Sequence, residues 1–348
     1  MKNLIKFISN EDHIDNNFVS NKSTDIGMIK TKEIIPSKLC NELNSTLNTP
    51  FNENIVKSNI KNIDHIFIVN LEKCPKKKNY IKNFFDKYKI DINFFKAING
   101  WALSMDTLKN IGTKFEKNMD NFENLIDNRH DNGLATRYDE GSHTGQFNEY
   151  YERMYERDEN CWYIHGMAPG QIGCILSHLN IYKNALALKM KTIMICEDDC
   201  QINENPHSIS NYLNELNTLT NNDWDMLYLD KEQIYNGEEI IQSGRVVHPH
   251  LDNSKYALEH LNFTINEKIS ENIRRVGARF GTYGYVISES GMKKILEWHL
   301  IHGIWSPADI LCVSNLKKYT LLKNIIIHND DMYKYSSVGC QIKKPNFN

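Results

Sequence analysis

No stretch of these 348 residues approaches the roughly 18 uninterrupted apolar positions of a membrane-crossing helix, so no spanning segment is expected. The opening residues, MKNLIKFISNEDHID, are broken by Lys6 before an apolar core can form. A secretory leader is therefore not expected, and a cytosolic start is. The eight cysteines form no CxxC pair, which removes the zinc-ribbon and thioredoxin-type readings and leaves reduced thiols, several of them buried. His248-Pro249-His250 and Cys196/Cys200 also lack a second ligand pair at zinc-site spacing. Strong charge of either sign is missing too. The net charge is -3, and the longest basic run is Lys76-Lys77-Lys78, so nucleic acid is not an expected partner. No strand is followed by DxDx[TV], which argues against the usual phosphohydrolase. Internal repeats are absent as well.

What is present is an alternation of strand and helix signals. Residues 1–60 are polar, Asn-rich and weakly periodic, and read as an arm. The run 63–71 (IDHIFIVNL) is β-branched and apolar, as a buried strand requires. Residues 77–88 place Tyr80, Ile81, Phe84, Phe85 and Tyr88 at helical spacing, and 93–98 form a second strand that ends at Asn99-Gly100. Residues 113–167 are polar, aromatic and turn-rich and interrupt the rhythm, which marks an insertion. The alternation resumes at Pro169-Gly170 with a helix carrying Ile172, Ile175, Leu176, Leu179, Tyr182 and Leu186 on one face. Strands are expected at 192–196, 224–229, 282–288 and 325–327, with a helix over 292–299. This order predicts an α/β layer structure with a largely parallel sheet, whose ligands bind beyond the carboxyl ends of the strands.

At one such end stand Glu197, Asp198 and Asp199. Two unit charges 4–5 Å apart repel by roughly 3–4 kcal/mol at an effective dielectric of about 20, so three successive carboxylates call for compensation. A hard divalent cation with oxygen ligands supplies it and leaves positions open for a diphosphate. A solvated turn that caps a following helix is the plain alternative. The residues alone do not separate the two.

The wider pattern is more specific. GQIGCILSHLNIYKNALALKMKTIMICEDDC (170–200) resembles the central motif of glycosyltransferase family 25: a Gly-Cys turn, a Leu-Ser-His helix and a strand closing in Glu-Asp-Asp. IFIVNLEKCPKKKNYI (66–81) resembles the family's opening strand and basic segment, with Lys77 and Lys78 where arginines are usual. FKAINGWAL, DWDMLYLD, TYGYVISESGMKKIL and SPAD (306–309) resemble its later elements. The likeness covers about 63–112 and 168–335.

The resemblance implies a GT-A-like, Rossmann-type nucleotide-sugar fold over 61–335, with the insertion inside it and a tail at 336–348. It implies a metal-dependent, inverting hexosyltransferase that uses Mn²⁺ or Mg²⁺ and a UDP-sugar, with galactose or glucose as the sugar. The acceptor would be a glycan or a hydroxylysine-type protein side chain. Asp199 is the expected metal ligand, with Glu197 and His328 completing the shell. Asn70, Leu71, Lys77, Asn99, Gly100, Gly170, Ser177, His178 and Asp198 are the expected nucleotide-sugar contacts. Gly170 and Gly173 read as glycines preceding a helix, with free N–H donors for a polar ligand. Asp309 is the expected base for the acceptor hydroxyl.

Plainer roles stand beside each of these. Asn70-Leu71 is also a strand terminus, Lys77 a solvent-facing helix lysine, His178 and His328 structural histidines, and Asp309 an N-cap before Ile310. Two other readings of the chain remain: a degenerate, inactive sugar- or partner-binding module, and another Mg²⁺-dependent α/β phosphotransfer protein. The expected location is a bacterial cytoplasm or a viral host's cytosol.

Overall fold

The computed structural model describes residues 43–51, 54–103, 107, 111, 169–231, 234–235, 238–239, 265–277, 279, 281–304, 308 and 316–329. The insertion expected at 113–167, the tail at 336–348 and Asp309 lie outside the described residues.

An eight-stranded sheet forms the centre, in the order β2-β1-β3-β10-β5-β11-β9-β8. Its strands are β1 (His65–Asn70), β2 (Asn93–Lys96), β3 (Thr192–Glu197), β5 (Met226–Tyr228), β8 (Asn266–Lys268), β9 (Ile273–Val276), β10 (Gly284–Ser288) and β11 (Lys318–Leu321). β1 pairs parallel with β2 and β3, and β5 pairs parallel with β11. β10 runs antiparallel to both of its neighbours, and β9 to both of its own. Direction thus reverses at two strands of a largely parallel α/β sheet. Two small antiparallel pairs accompany it: β4 (Cys200–Ile202) with β12 (Ile326–His328), and β6 (Ile234–Tyr235) with β7 (Glu238–Glu239).

The period-two alternation of the central strands sorts their side chains into two cores. Phe67, Val69, Ile193, Ile195, Met226, Tyr285 and Ile287 face one side. They pack there against helix α2 (Pro169–Ala187) and helix α4 (Glu289–His302). Ile66, Ile68, Met194, Cys196, Leu227 and Val286 face the other side. Helix α1 (Pro75–Lys87) and helix α3 (Ile209–Thr220) cover that face through Ile81, Phe85, Ile209, Leu213 and Leu216. A sheet buried on both faces needs continuous apolar strands, which is why β1 reads HIFIV and β3 reads TIMIC.

Packing begins ahead of residue 61. Leu43, Leu47 and Ile60 are buried, and the Phe51 ring stacks on Phe67 with centroids 4.4 Å apart. Lys183 Nζ ties this segment down by donating to the carbonyls of Asn44 (2.8 Å) and Leu47 (2.7 Å).

The two glycines expected ahead of the second helix lie inside it. Proline lacks an N–H and has a preset φ, so Pro169 suits a helix's first turn, and α2 starts there. Gly170 then falls in the first turn, where backbone N–H groups have no partner within the helix. Gly173 stands a turn deeper, where it serves close packing. A methyl at Gly173 would sit 2.5 Å from both Gly100 N and Ile98 O. Both are backbone atoms, so the clash cannot be relieved by a rotamer change. Gly173→Ala is expected to cost about 1–3 kcal/mol in stability. The check is a chemical denaturation midpoint, and an unchanged midpoint would mean that the two segments do not touch this closely.

Candidate active site

The carboxyl ends of β1, β2 and β3 meet at one cleft of about 530 Å³, counted out to solvent. Register places Val69 beside Glu197 and Asn70 beside Lys96, so the three strands finish level. The cleft is lined by Leu71 and Lys77 from the β1–α1 segment and by Asn99 and Gly100 after β2. Gly170, Cys174 and Ser177 from α2, and Glu197, Asp198 and Asp199 after β3, complete the wall. Segments more than a hundred residues apart in sequence therefore converge on the acidic triplet.

Compensation of the triplet comes first from Lys77. Its Nζ lies 3.0 Å from Asp198 Oδ1 and 3.1 Å from Asp199 Oδ2, and it is itself buried. Burial works against the ammonium charge, but Asp199 and Asp198 outweigh it and hold Lys77 well above the ordinary lysine range. The lysine expected to meet a diphosphate is thus turned onto the carboxylates. Asn70 completes the arrangement by donating from Nδ2 to Asp198 Oδ2 at 2.7 Å. Both oxygens of Asp198 are occupied in this way, whereas Asp199 uses Oδ2 for Lys77 and takes no hydrogen bond on Oδ1 among the described residues.

Burial pushes the Asp198 carboxyl up, with Asp199 adding to it, and Lys77 and Asn70 pull it only part of the way back, to about 6. A folded value above the unfolded 3.8 means that this group's stabilising contribution is full below the unfolded value and lost as pH rises through about 6. Relative to Asp198→Asn, the native chain is expected to lose roughly 3 kcal/mol between about pH 4 and about pH 8. Denaturant unfolding of both proteins across that window measures it, and a pH-independent difference would contradict it.

Glu197 is held differently. Its Oε1 accepts from Thr282 Oγ1 at 2.5 Å and lies 3.6 Å from His178 Nε2 and 3.8 Å from Cys174 Sγ. Burial pushes this carboxyl up, but the His178 imidazole, the Thr282 hydroxyl and Lys77 prevail and keep it below the usual range. His178 is buried beneath it, with Nδ1 2.6 Å from the Tyr285 hydroxyl, which lies 2.5 Å from that of Tyr182.

Ser177 spends its hydroxyl on the scaffold: it donates to Gly173 O (2.7 Å) and accepts from Ile98 N (2.8 Å). That bond and the close approach at Gly173 fix the Ile98–Gly100 wall of the cleft. Asn99 Oδ1, at the same wall, is buried with no hydrogen-bond partner among the described residues. It offers an acceptor to a ligand.

His328 reaches the neighbourhood through β12, which pairs with β4 immediately after the triplet. His328 stands opposite Cys200, and Asn329 N donates to Asp199 O at 3.0 Å. Yet Glu197, Asp199 and His328 do not converge on one point. Among the described residues, the donor atoms that do converge are those of Cys174, His178 and Glu197, all within 4.8 Å of one another. The reason is directional: Thr282 and His178 hold Glu197 toward α2, while Asp199 turns to Lys77. Asp230, a further strand-end carboxylate, is buried and taken up wholly by Arg279 and Tyr283.

Sequence reasoning missed Thr282, Tyr285 and Tyr182. Tyr182 follows His178 by one helical turn and Tyr285 sits on the α2-facing side of β10, so spacing alone could have placed all but Thr282.

The profile of glycosyltransferase family 25 (LPS biosynthesis protein) matches residues 63–311, most of the chain. The chain belongs to glycosyltransferase family 25. Among its relatives, a glycosyltransferase 25 family member of Aedes aegypti is 25% identical over 236 residues, 68% of this chain and 28% of that protein. The Drosophila melanogaster family member is 24% identical over 235 residues, 67% of this chain and 28% of the relative. A mouse protein named inactive glycosyltransferase 25 family member 3 is 29% identical over 80 residues, 23% of this chain and 14% of its own length. The chain thus matches under a third of the length of these family members. No helix among the described residues is long and apolar enough to cross a membrane.

Proposed function

We propose that this family 25 chain is a metal-dependent, inverting hexosyltransferase that moves galactose or glucose from a UDP-sugar to a hydroxyl of a glycan or of a hydroxylysine-type side chain. One observation carries the reading. The Asn-Leu end of β1, the Asn99-Gly100 turn, the Gly-Cys/Ser-His helix and Glu-Asp-Asp line or border one cleft at the carboxyl ends of three parallel strands.

Each group then has a task. The first turn of α2, where Gly170 opens on the cleft, carries backbone N–H groups that the helix itself does not use and that suit the diphosphate. Leu71 and Asn99 border the space for the base and ribose. Asp198, clamped by Lys77 and Asn70, fixes the backbone from which Asp199 projects. Asp199 Oδ1 fits a hard cation, Mn²⁺ or Mg²⁺, because it is an anionic oxygen left without a hydrogen bond at the cleft wall. When bound, that cation stabilises the negative charge of the departing nucleoside diphosphate. Glu197 faces the sugar from the cleft floor. Asp309 is the base: it takes the acceptor's proton as the hydroxyl oxygen bonds to the anomeric carbon and the bond to the diphosphate oxygen breaks.

A donor panel of UDP-, GDP- and CMP-sugars with Mn²⁺, followed for nucleotide release, tests the reading. UDP-hexose turnover is the expected result. Binding of UDP-sugar without release, even with acceptors supplied, favours the second reading, a degenerate binding module. Relatives named inactive, and lysines at 77 and 78 in place of arginines, are what favour it.

A further inference from the structure

The floor of the cleft holds a second donor set, distinct from Asp199. Cys174 Sγ and His178 Nε2 stand 3.8 Å and 3.6 Å from Glu197 Oε1, and all three donor atoms fall within 4.8 Å of one another. A four-coordinate zinc with ordinary bond lengths holds such donors about 3.4–3.6 Å apart, so shifts of no more than about an ångström close the set. His178 Nε2 is buried and has no hydrogen-bond partner among the described residues, while Nδ1 is fixed by Tyr285. Ion binding selects the tautomer in which Nδ1–H donates to Tyr285 Oη and Nε2 is the ligand atom, in place of the Nε2–Glu197 contact of the ion-free protein. An outer hydrogen bond on the far ring nitrogen is what orients a histidine that ligates metal. Thr282 donates to Glu197 Oε1, the oxygen that faces Cys174 and His178, and so holds that oxygen at the set while leaving it a second lone pair.

We infer that Cys174, His178 and Glu197 form a site for a thiolate-accepting divalent cation of the zinc class, with its fourth position open to the cleft. The chemistry is selective. Thiolate and imidazole favour Zn²⁺ or Co²⁺ over the hard Mn²⁺ and Mg²⁺ that suit Asp199. Binding releases the Cys174 thiol proton to solvent, and thiolate plus carboxylate then neutralise the ion's two positive charges. Cys174 and Glu197 both line the cleft, so an ion here stands where the donor sugar is proposed to lie. Zinc occupancy and sugar binding therefore compete. The coordination itself does not depend on sugar turnover.

Cobalt is the probe, titrated into the full, reduced chain without donor or acceptor. The native protein is expected to develop the visible bands of four-coordinate cobalt and a near-ultraviolet sulfur-to-cobalt charge-transfer band, both removed by one equivalent of Zn²⁺. Cys174→Ser is expected to abolish the charge-transfer band and to weaken Zn²⁺ binding at least tenfold, with its far-ultraviolet circular dichroism unchanged. Cys74→Ser and Asp199→Asn should leave both intact. His178→Gln is expected to weaken Zn²⁺ binding likewise, and if it disturbs the fold, Cys174→Ser alone decides. A band that persists in Cys174→Ser, one lost in Asp199→Asn, or no cobalt spectrum in the native chain would each overturn the assignment.

Discussion

Lys77→Met is expected to destabilise the chain by about 3 kcal/mol or more near neutral pH, and to do so far less at acid pH. The substitution keeps the volume of the stem but leaves buried Asp198 and half-buried Asp199 side by side without their cation. Removing one partner of a buried ion pair costs about 3–5 kcal/mol, because the remaining charge keeps its desolvation penalty. The pH dependence follows from Asp198. With the ammonium gone, only the Asn70 hydrogen bond still opposes the burial that raises this carboxyl, which stands at about 6 with Lys77 in place, so protonation relieves the repulsion as the solution is acidified. Chemical denaturation of both proteins at acid and slightly alkaline pH measures this. An equal loss at both would mean that the cost is packing and not charge.

The second large effect concerns catalysis. Asp199→Asn is expected to lower hexose transfer by about a thousandfold or more, on the scale seen when a group stabilising transition-state charge is lost. The fold should survive, because the amide keeps an oxygen for Lys77 and the backbone contact from Asn329 N to Asp199 O is untouched. The measurement is nucleotide release under saturating donor, with thermal melting as the control for folding. Residual activity within tenfold of the native rate would remove Asp199 from the chemistry. Asp198→Asn should be milder, since both its oxygens are already spent on Asn70 and Lys77 and it acts by positioning its neighbour.

Much of the sheet was legible because central strands buried on both faces must be apolar throughout. β1 and β3 announce themselves in this way, and the face of α2 that meets Phe67 and Ile195 shows in the spacing of Ile172, Ile175, Leu176 and Leu179. The reversed direction of β10 was not legible, because GYVIS is equally apolar in either orientation. Helix α3 passed unread, since Asn and Thr fill the positions between Ile209, Leu213 and Leu216 and blur its stripe. β9 and β11 were missed because Arg274, Arg275 and Lys318 break the expected apolar run.

The site divides along the same line. The triplet's place at a strand end follows from local pattern, and so does the need for a compensating charge. That the first compensation is Lys77, 121 residues away from Asp198, depends on how α1 leaves β1. Nothing in KKK distinguishes the buried lysine from its exposed neighbours until the helix is docked. Likewise Glu197 carries the same carboxylate group as its two neighbours, yet Thr282 and His178 turn it toward α2 and away from Asp199.

The most direct test of the nucleotide-sugar reading is calorimetric titration of UDP into the intact chain with and without Mn²⁺, repeated on Asp199→Asn. The predicted result is that Mn²⁺ tightens UDP binding at least tenfold in the native chain and has no effect in the variant. Equal affinity with and without Mn²⁺, or no UDP binding in either condition, would contradict it.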